Sequence, residues 1–334
     1  MKALIVGLGS IGKRHARLLK ELMPISIAAL DTRSISCDAF VDKYNISELN
    51  SRDHAVSWKP DFAIIANPSA FHADTALWLA KENIPFLIEK PVSTICEGLD
   101  ILKQVVEKRN LPVMVGFQLR FHPGLVAVQQ WINKGELGDI LHCLAFVGQY
   151  LPNWRPSVDY RNIYSAHRKE GGGVIFDLCH QIDLNLMIMG PCTNVATMKG
   201  HSNAELEIDS EDVADILLEH RVGIFSNIHL NYLERNYIWT MHITGTKGSA
   251  IWDYGLGVST LHRSDGTKEE YRLAENFERD HMFSAQLKTW LCVLDGAMLP
   301  PVSLRQGIEI TQIACACHES YKRKRILSLC VKEW

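Results

Sequence analysis

The chain lacks any apolar run approaching the roughly 20 residues that cross a bilayer as a helix. It also lacks a surplus of charge. Its 35 basic and 38 acidic side chains leave a net charge of −3, which gives no reason to expect nucleic acid or a membrane as a partner. The nine cysteines are odd in number and scattered, at 37, 96, 143, 179, 192, 292, 315, 317 and 330, with no C-x-x-C pair among them. Cys315 and Cys317 fall in a helical pattern, where residues two apart point away from each other. Free thiols in a reducing compartment are the expectation. The N-terminus runs from Met1 straight into a strand-and-turn signal, with no space for a secretory apolar segment, so the expected location is cytoplasmic. None of the 14 histidines belongs to a ligand-spaced cluster such as H-E-x-x-H, and no metal is expected.

What is present suits a two-domain protein. A chain of 334 residues with 47% hydrophobic residues can bury two cores. Through residue 116, short β-branched runs (Ala3–Val6, Ile25–Leu30, Phe62–Ala66, Phe86–Ile88, Val113–Val115) alternate with helical patterns (Ile11–Leu22, His72–Lys81, Ser93–Arg109). That alternation predicts a parallel sheet covered by helices on both faces. Beyond Gly116 comes a helix over Pro123–Asn133. Successive strand patterns follow at Ile140–Gln149, Asp212–His220, Gly223–Asn231, Tyr237–Thr244 and Ser249–Asp253. These predict an antiparallel sheet, and two helices at about 280–296 and 303–323 close the chain. The expected class is therefore α/β, a doubly wound Rossmann sheet over residues 1–118 followed by an α+β domain over 119–334.

Gly7-Leu8-Gly9-Ser10-Ile11-Gly12 matches G-x-G-x-x-G between the first strand and the first helix. In that context Gly7 permits the turn, Gly9 admits a pyrophosphate and Gly12 lets helix and strand pack. The start of the helix, Ser10 and Ile11 included, faces the phosphates. Asp31 closes the next strand, where a carboxylate accepts the ribose hydroxyls and repels a 2′-phosphate, favouring NAD. Arg33 could hold that phosphate, which keeps NADP as the alternative. Two later turns, Ala66-Asn67-Pro68-Ser69-Ala70-Phe71-His72 and Glu89-Lys90-Pro91, would sit beyond the carboxyl ends of the strands, where such sheets bind ligands. Asn67, Pro68, His72, Glu89 and Lys90 join the candidate cofactor contacts.

Gly171-Gly172-Gly173 leads into a helical pattern with Asp177, His180 and Asp183 at three-residue spacing on an otherwise apolar background. Neighbours three apart on a helix can touch, and a histidine flanked by carboxylates is suited to proton transfer. The competing reading is a buried structural histidine.

With these segments in order, the sequence resembles the glucose–fructose oxidoreductase / inositol dehydrogenase family (Gfo/Idh/MocA) over nearly its whole length. The resemblance rests on the N-terminal fingerprint, Asn67-Pro68 with His72, and Glu89-Lys90-Pro91. It continues through Gly116-Phe117-Gln118-Leu119-Arg120-Phe121-His122-Pro123, the segment Gly171–Asp183 and Gly245-Thr246-Lys247-Gly248. It implies a Rossmann domain, a second domain with a large open antiparallel sheet, and an active site between them. It also implies that Lys90 contacts the nicotinamide ribose and substrate oxygens, while His180 and Asp177 act near the substrate hydroxyl. Many members space this pair as Asp-x-x-x-His, whereas here it is Asp177-x-x-His180, a rotation of about 100° on a helix. The chain looks instead like a subgroup associated with surface-carbohydrate biosynthesis, which shares Trp154, Pro156, Asp159, Tyr160, Arg161, Tyr164, Ser165 and Ala166.

The implied activity is hydride transfer between nicotinamide and a secondary hydroxyl or keto group of a sugar, sugar nucleotide or cyclic polyol. His180 would be the base, Lys90 would polarise the oxygen, and Asp177 would support substrate or imidazole. The polar, aromatic stretch 151–170 would bind the substrate. Trp154, Tyr160, Arg161, Arg120 and Tyr232 are the candidates, with Arg155 and Arg168 as further cations, and loop packing is the competing reading for each. Other readings are a catalytically silent NAD-binding regulator, and a glycosidase or non-sugar reductase of the same family. An open sheet face needs covering, so a homodimer or homotetramer is expected.

Overall fold

A computed structural model of the chain describes residues 1–31, 39–220 and 223–329. The chain divides into two compact units. One comprises Met1–Gln118 and Glu278–Thr311; the other comprises Leu119–Phe277 and the chain from Gln312 onward.

In the first unit, six strands form one sheet: β1 (Lys2–Val6), β2 (Ser26–Leu30), β3 (Ile46–Leu49), β4 (Phe62–Ile65), β5 (Phe86–Glu89) and β6 (Val113–Gly116). Their order is β3-β2-β1-β4-β5-β6 and every pairing is parallel. Leu4, Ile5, Phe62, Ile64, Phe86 and Leu87 are wholly buried, as continuous apolar runs in a sheet covered on both faces should be. The strand order reverses between β1 and β4, so the turns after β1, β4 and β5 open onto the carboxyl edge where such folds bind ligands. The helix expected from Ser93 begins only at Leu99, because Gly98 just before it is left-handed, with φ 79°.

The first unit is not one continuous segment. Helix Arg279–Leu294 returns to it, and Phe283, Leu287, Trp290 and Val293 enter the same core as Ile5, Leu19 and Phe62. Trp290 meets Phe62 edge to face at 6.1 Å, and Asp280 accepts from Arg14 Nε at 2.8 Å. A division at 118/119 alone therefore misses residues 278–311, whose apolar face belongs to the first core.

The second unit is built on a nine-stranded sheet: β7 (Ile140–Gly148), β8 (Cys192–Gly200), β9 (Val213–His220), β10 (Phe225–Asn231), β11 (Ile238–Gly245), β12 (Gly248–Asp253), β13 (Val258–Arg263), β14 (Lys268–Arg272) and β15 (Leu327–Ser328). The order is β14-β13-β12-β11-β7-β10-β9-β8-β15. All pairings are antiparallel except that of β7 with β10, so the sheet is mixed at its centre. Cys143, Ala145 and Val147 of β7 point to the buried face. On the opposite face Leu144, Leu217, Phe225 and Met198 remain exposed.

Candidate active site

The turn after β1 is shaped by close approach. Gly7 has φ 91°, and a Cβ there would lie 2.5 Å from the backbone of Asn67. At Gly12 a Cβ would meet the Gly7 carbonyl oxygen at 2.0 Å. Gly9 differs: a Cβ on it would touch nothing within 4 Å, so the space beside it is open. Helix Ser10–Leu22 starts there with no side-chain cap on its first N–H groups. An uncapped helix start beside an open glycine is what a pyrophosphate requires, so these residues fit a dinucleotide. Asp31 follows β2 and its Oδ2 accepts the Leu8 N–H at 2.6 Å, which fixes the carboxylate against this loop. Arg33 lies outside the described residues.

The other two turns are tied to each other. His72 is buried, with Nε2 2.8 Å from the Asn67 carbonyl oxygen and Nδ1 2.7 Å from that of Pro91. Burial pulls its pKa below the usual value, against the two carbonyls that favour the proton. His72 is thus a strut between the Asn67-Pro68 turn and the Lys90-Pro91 turn. Asn67 Nδ2 donates to Thr75 Oγ1 at 3.0 Å, and Pro68 is exposed. Glu89, counted above as a cofactor contact, is nearly buried and takes a hydrogen bond from His15 Nε2 at 2.7 Å. His15 sits on the phosphate-facing helix, so this pair locks the helix to the end of β5. Lys90, next in sequence, is half-buried.

In the second unit the glycine run is a packing requirement. A Cβ on Gly172 would lie 2.4 Å from the Ser165 carbonyl oxygen. One on Gly173, where φ is 107°, would lie 2.4 Å from Glu211 Oε1. Only glycine lets the stretch around Tyr164 and Ser165 close onto this segment. The helix beyond it, expected to be continuous, is interrupted. Val174–Asp177 forms one turn, Leu178 and Cys179 leave helical register, and His180–Met189 starts afresh. The three-residue spacing argument therefore does not carry across the break.

The two flanking carboxylates have partners of their own. Asp177 accepts hydrogen bonds from the hydroxyl of Tyr164 and, at 2.8 Å, from that of Tyr232. Burial and the adjacent carboxylate hold both phenols well above their usual pKa, so both stay protonated donors. Asp183, wholly buried, receives Arg120 through Nε at 3.0 Å and Nη2 at 2.6 Å. Burial pushes the Asp183 pKa up, and the guanidinium opposes that rise. His180 is 4% exposed, and its ring centre lies 6.0 Å from that of Trp239.

The remaining residues expected at the substrate are engaged within the fold. Tyr232 is wholly buried and spends its hydroxyl on Asp177. Trp154 donates Nε1 to the Gln149 carbonyl at 3.1 Å and packs edge-on to Tyr232. Arg161 pairs with Asp159 at 2.7 Å and Glu207 at 3.1 Å, and the Tyr160 hydroxyl accepts the Glu207 N–H at 3.1 Å. His15, bonded to Glu89, and Tyr164, bonded to Asp177, are partners that the sequence reading did not assign to the site. Tyr164 had a signal in its Tyr-Ser-Ala triplet, whereas the pairing of His15 depends on sheet order. Among the described residues, no group of three or more His, Cys, Asp or Glu side chains could hold a metal, and no helix is long and apolar enough to cross a membrane.

Comparison with known proteins follows the same two-part division. Residues 1–117 match the model of the oxidoreductase family with an NAD-binding Rossmann fold, and residues 125–251 match the GFO/IDH/MocA C-terminal domain. The chain belongs to the GFO/IDH/MocA family. Similar members include the myo-inositol 2-dehydrogenase of Thermotoga maritima, 22% identical with 98% of each chain covered. The inositol 2-dehydrogenase of Rhizobium meliloti is 26% identical, with 97% of this chain and 98% of that one covered. Among solved structures, a levoglucosan dehydrogenase in complex with NADH and L-sorbose superposes with a TM-score of 0.87 at 16% identity, covering 98% of each chain. The GFO/IDH/MocA assignment makes the first unit an NAD-binding domain and gives the chain sugar and polyol dehydrogenases as relatives.

Proposed function

We propose that this GFO/IDH/MocA protein transfers a hydride between NAD and a secondary hydroxyl or keto group of a sugar, sugar nucleotide or cyclic polyol. One observation carries the reading: a phosphate-ready helix start at Gly9 occurs in the same chain as a nearly buried histidine on a rigidly packed segment. Bound NAD supplies the hydride acceptor. His180 takes the proton from the reacting hydroxyl, and Lys90 polarises the same oxygen. His72 holds the Lys90 turn in place through the Pro91 carbonyl. Asp177 acts through the framework, because two tyrosines claim its carboxylate. A regulator that merely binds NAD needs neither Lys90 nor His180. The test is NADH formation on adding NAD and a panel of sugars and polyols. Tight NAD binding without turnover, accompanied by altered affinity for a protein partner, would favour the regulator instead.

NAD is the proposed cofactor over NADP, on the strength of the Asp31 carboxylate at the end of β2. Asp31→Ala is expected to weaken NAD and relax the bias against NADP. Equal preference ratios in variant and wild type, measured by titration of the reduced cofactors, would refute the assignment.

The exposed face of the second sheet suggests a cover formed by a second copy, as a homodimer or homotetramer in the cytoplasm. Leu144 and Phe225 lie on that face, 44% and 43% exposed. The double variant Leu144→Asp, Phe225→Asp is expected to sediment as a monomer while retaining NAD binding. An unchanged sedimentation profile would place the cover elsewhere.

A further inference from the structure

Five arginines of the second unit, at 120, 155, 161, 168 and 235, differ in their partners. Arg120 is spent on Asp183, and Arg161 on Asp159 and Glu207. Arg235 is exposed, and its guanidinium carbon sits over the Tyr150 ring, 3.6 Å from its centre. Arg168 is exposed as well, with its backbone N–H held by Asp209. Arg155 is half-buried, and no carboxylate pairs with it among the described residues.

Its position is fixed from both sides. Trp154, immediately before it, is pinned by its hydrogen bond to Gln149 and by its edge-on contact with Tyr232 at 5.2 Å. Tyr232 donates to Asp177, three residues before His180. On the other side, the Arg155 carbonyl closes a turn by accepting the Val158 N–H at 2.9 Å. Arg155 also lies close enough to Tyr164, the second donor to Asp177, for its charge to oppose the upward shift of that phenol. A guanidinium drawn partly out of water without an ion-pair partner in direct contact is costly, whereas arginines 120 and 161 each have a carboxylate bonded to them.

We propose that Arg155 is the anion-binding residue of the substrate site, and that the substrate carries a carboxylate or phosphate. This rests on the hydride-transfer reading above and narrows its substrate class. The planar fork of the guanidinium binds either group through two parallel hydrogen bonds.

The test uses the protein complexed with NADH and two matched pairs of probes, D-glucuronate with D-glucose and myo-inositol 1-phosphate with myo-inositol. Binding is followed by the change in NADH fluorescence. In the wild type, the anionic member of at least one pair is expected to bind about 10-fold or more tightly than its neutral partner. The responding pair tells carboxylate from phosphate. Arg155→Ala should erase that ratio with NADH affinity and Tm unchanged, and Arg155→Lys should restore part of it through the charge alone. A wild type that prefers neither anion, or a ratio that survives in folded Arg155→Ala, overturns the proposal. Oxidation of neutral polyols at a rate independent of Arg155 would likewise overturn it while leaving hydride transfer intact. Binding of an anion through Arg155 with no hydride transfer from any probe would count against the broader reading instead.

Discussion

Replacing His180 with alanine is expected to lower turnover by about 100-fold or more, the usual contribution of a positioned general base. The affinity for NAD should change little, because the dinucleotide loop is held by contacts of its own, Gly7 against Asn67 and the Asp31 carboxylate on the Leu8 N–H. His180 opens its helix rather than sitting within one, and the break at Leu178 and Cys179 sets where the ring lies. Its neighbours Asp177 and Asp183 are held by tyrosines and by an arginine, so the substitution leaves those networks in place. Steady-state kinetics paired with NADH titration checks both halves of the expectation. A variant that loses NAD binding along with turnover would make His180 a framework residue.

Asp177→Ala is expected to act mainly on stability. Its carboxylate is the acceptor for two buried phenols, and hydrogen bonds to a charged group are each worth about 1.5–3 kcal/mol. The two share one carboxylate and do not simply add, so a loss of about 3 kcal/mol is expected, read from urea unfolding. Asp177→Asn should lose less, since one amide oxygen still accepts and a tyrosine hydroxyl can accept from the amide nitrogen. Both phenols have folded pKa values raised above the unfolded value of about 10. Their contribution is therefore complete below that value and is lost as the pH rises past it. Unchanged unfolding in Asp177→Ala together with lost turnover would move Asp177 from the framework to the substrate.

Local signals carried much of the fold. Helices His72–Lys81 and Pro123–Asn133 lie where the pattern puts them, the second because Pro123 occupies its first turn. The continuous apolar runs at Phe62–Ala66 and Phe86–Ile88 announced a sheet buried on both faces. The edge strand Lys268–Arg272 was invisible, since it is nearly all charged and mostly exposed, with no apolar alternation to read. The return of Arg279–Leu294 to the first core was equally hidden, because an apolar face does not say which core it enters.

Within the site, residue types were legible and partners were not. The fingerprint glycines and Asp31 follow from spacing and context, while the roles proposed for Lys90 and His180 rest on the family resemblance. Spacing suggested Asp177–His180 and His180–Asp183 contacts, but it gave no sign of Tyr164, Tyr232 and Arg120, which bond these carboxylates from up to 63 positions away. Glu89 went to His15 for the same reason. Such pairings are set by sheet order and loop closure, which no local window contains.

The central claim is hydride transfer from a carbinol carbon to NAD with His180 taking the proton, and deuterium transfer tests it most directly. The protein is given NAD and polyols or sugar acids deuterated at their carbinol carbons, and the reduced cofactor is analysed by mass spectrometry. The account predicts deuterated NADH from at least one such substrate, with formation slowed about 100-fold or more in His180→Ala. NADH that never carries the label, or labelled NADH formed at the wild-type rate by His180→Ala, would contradict it.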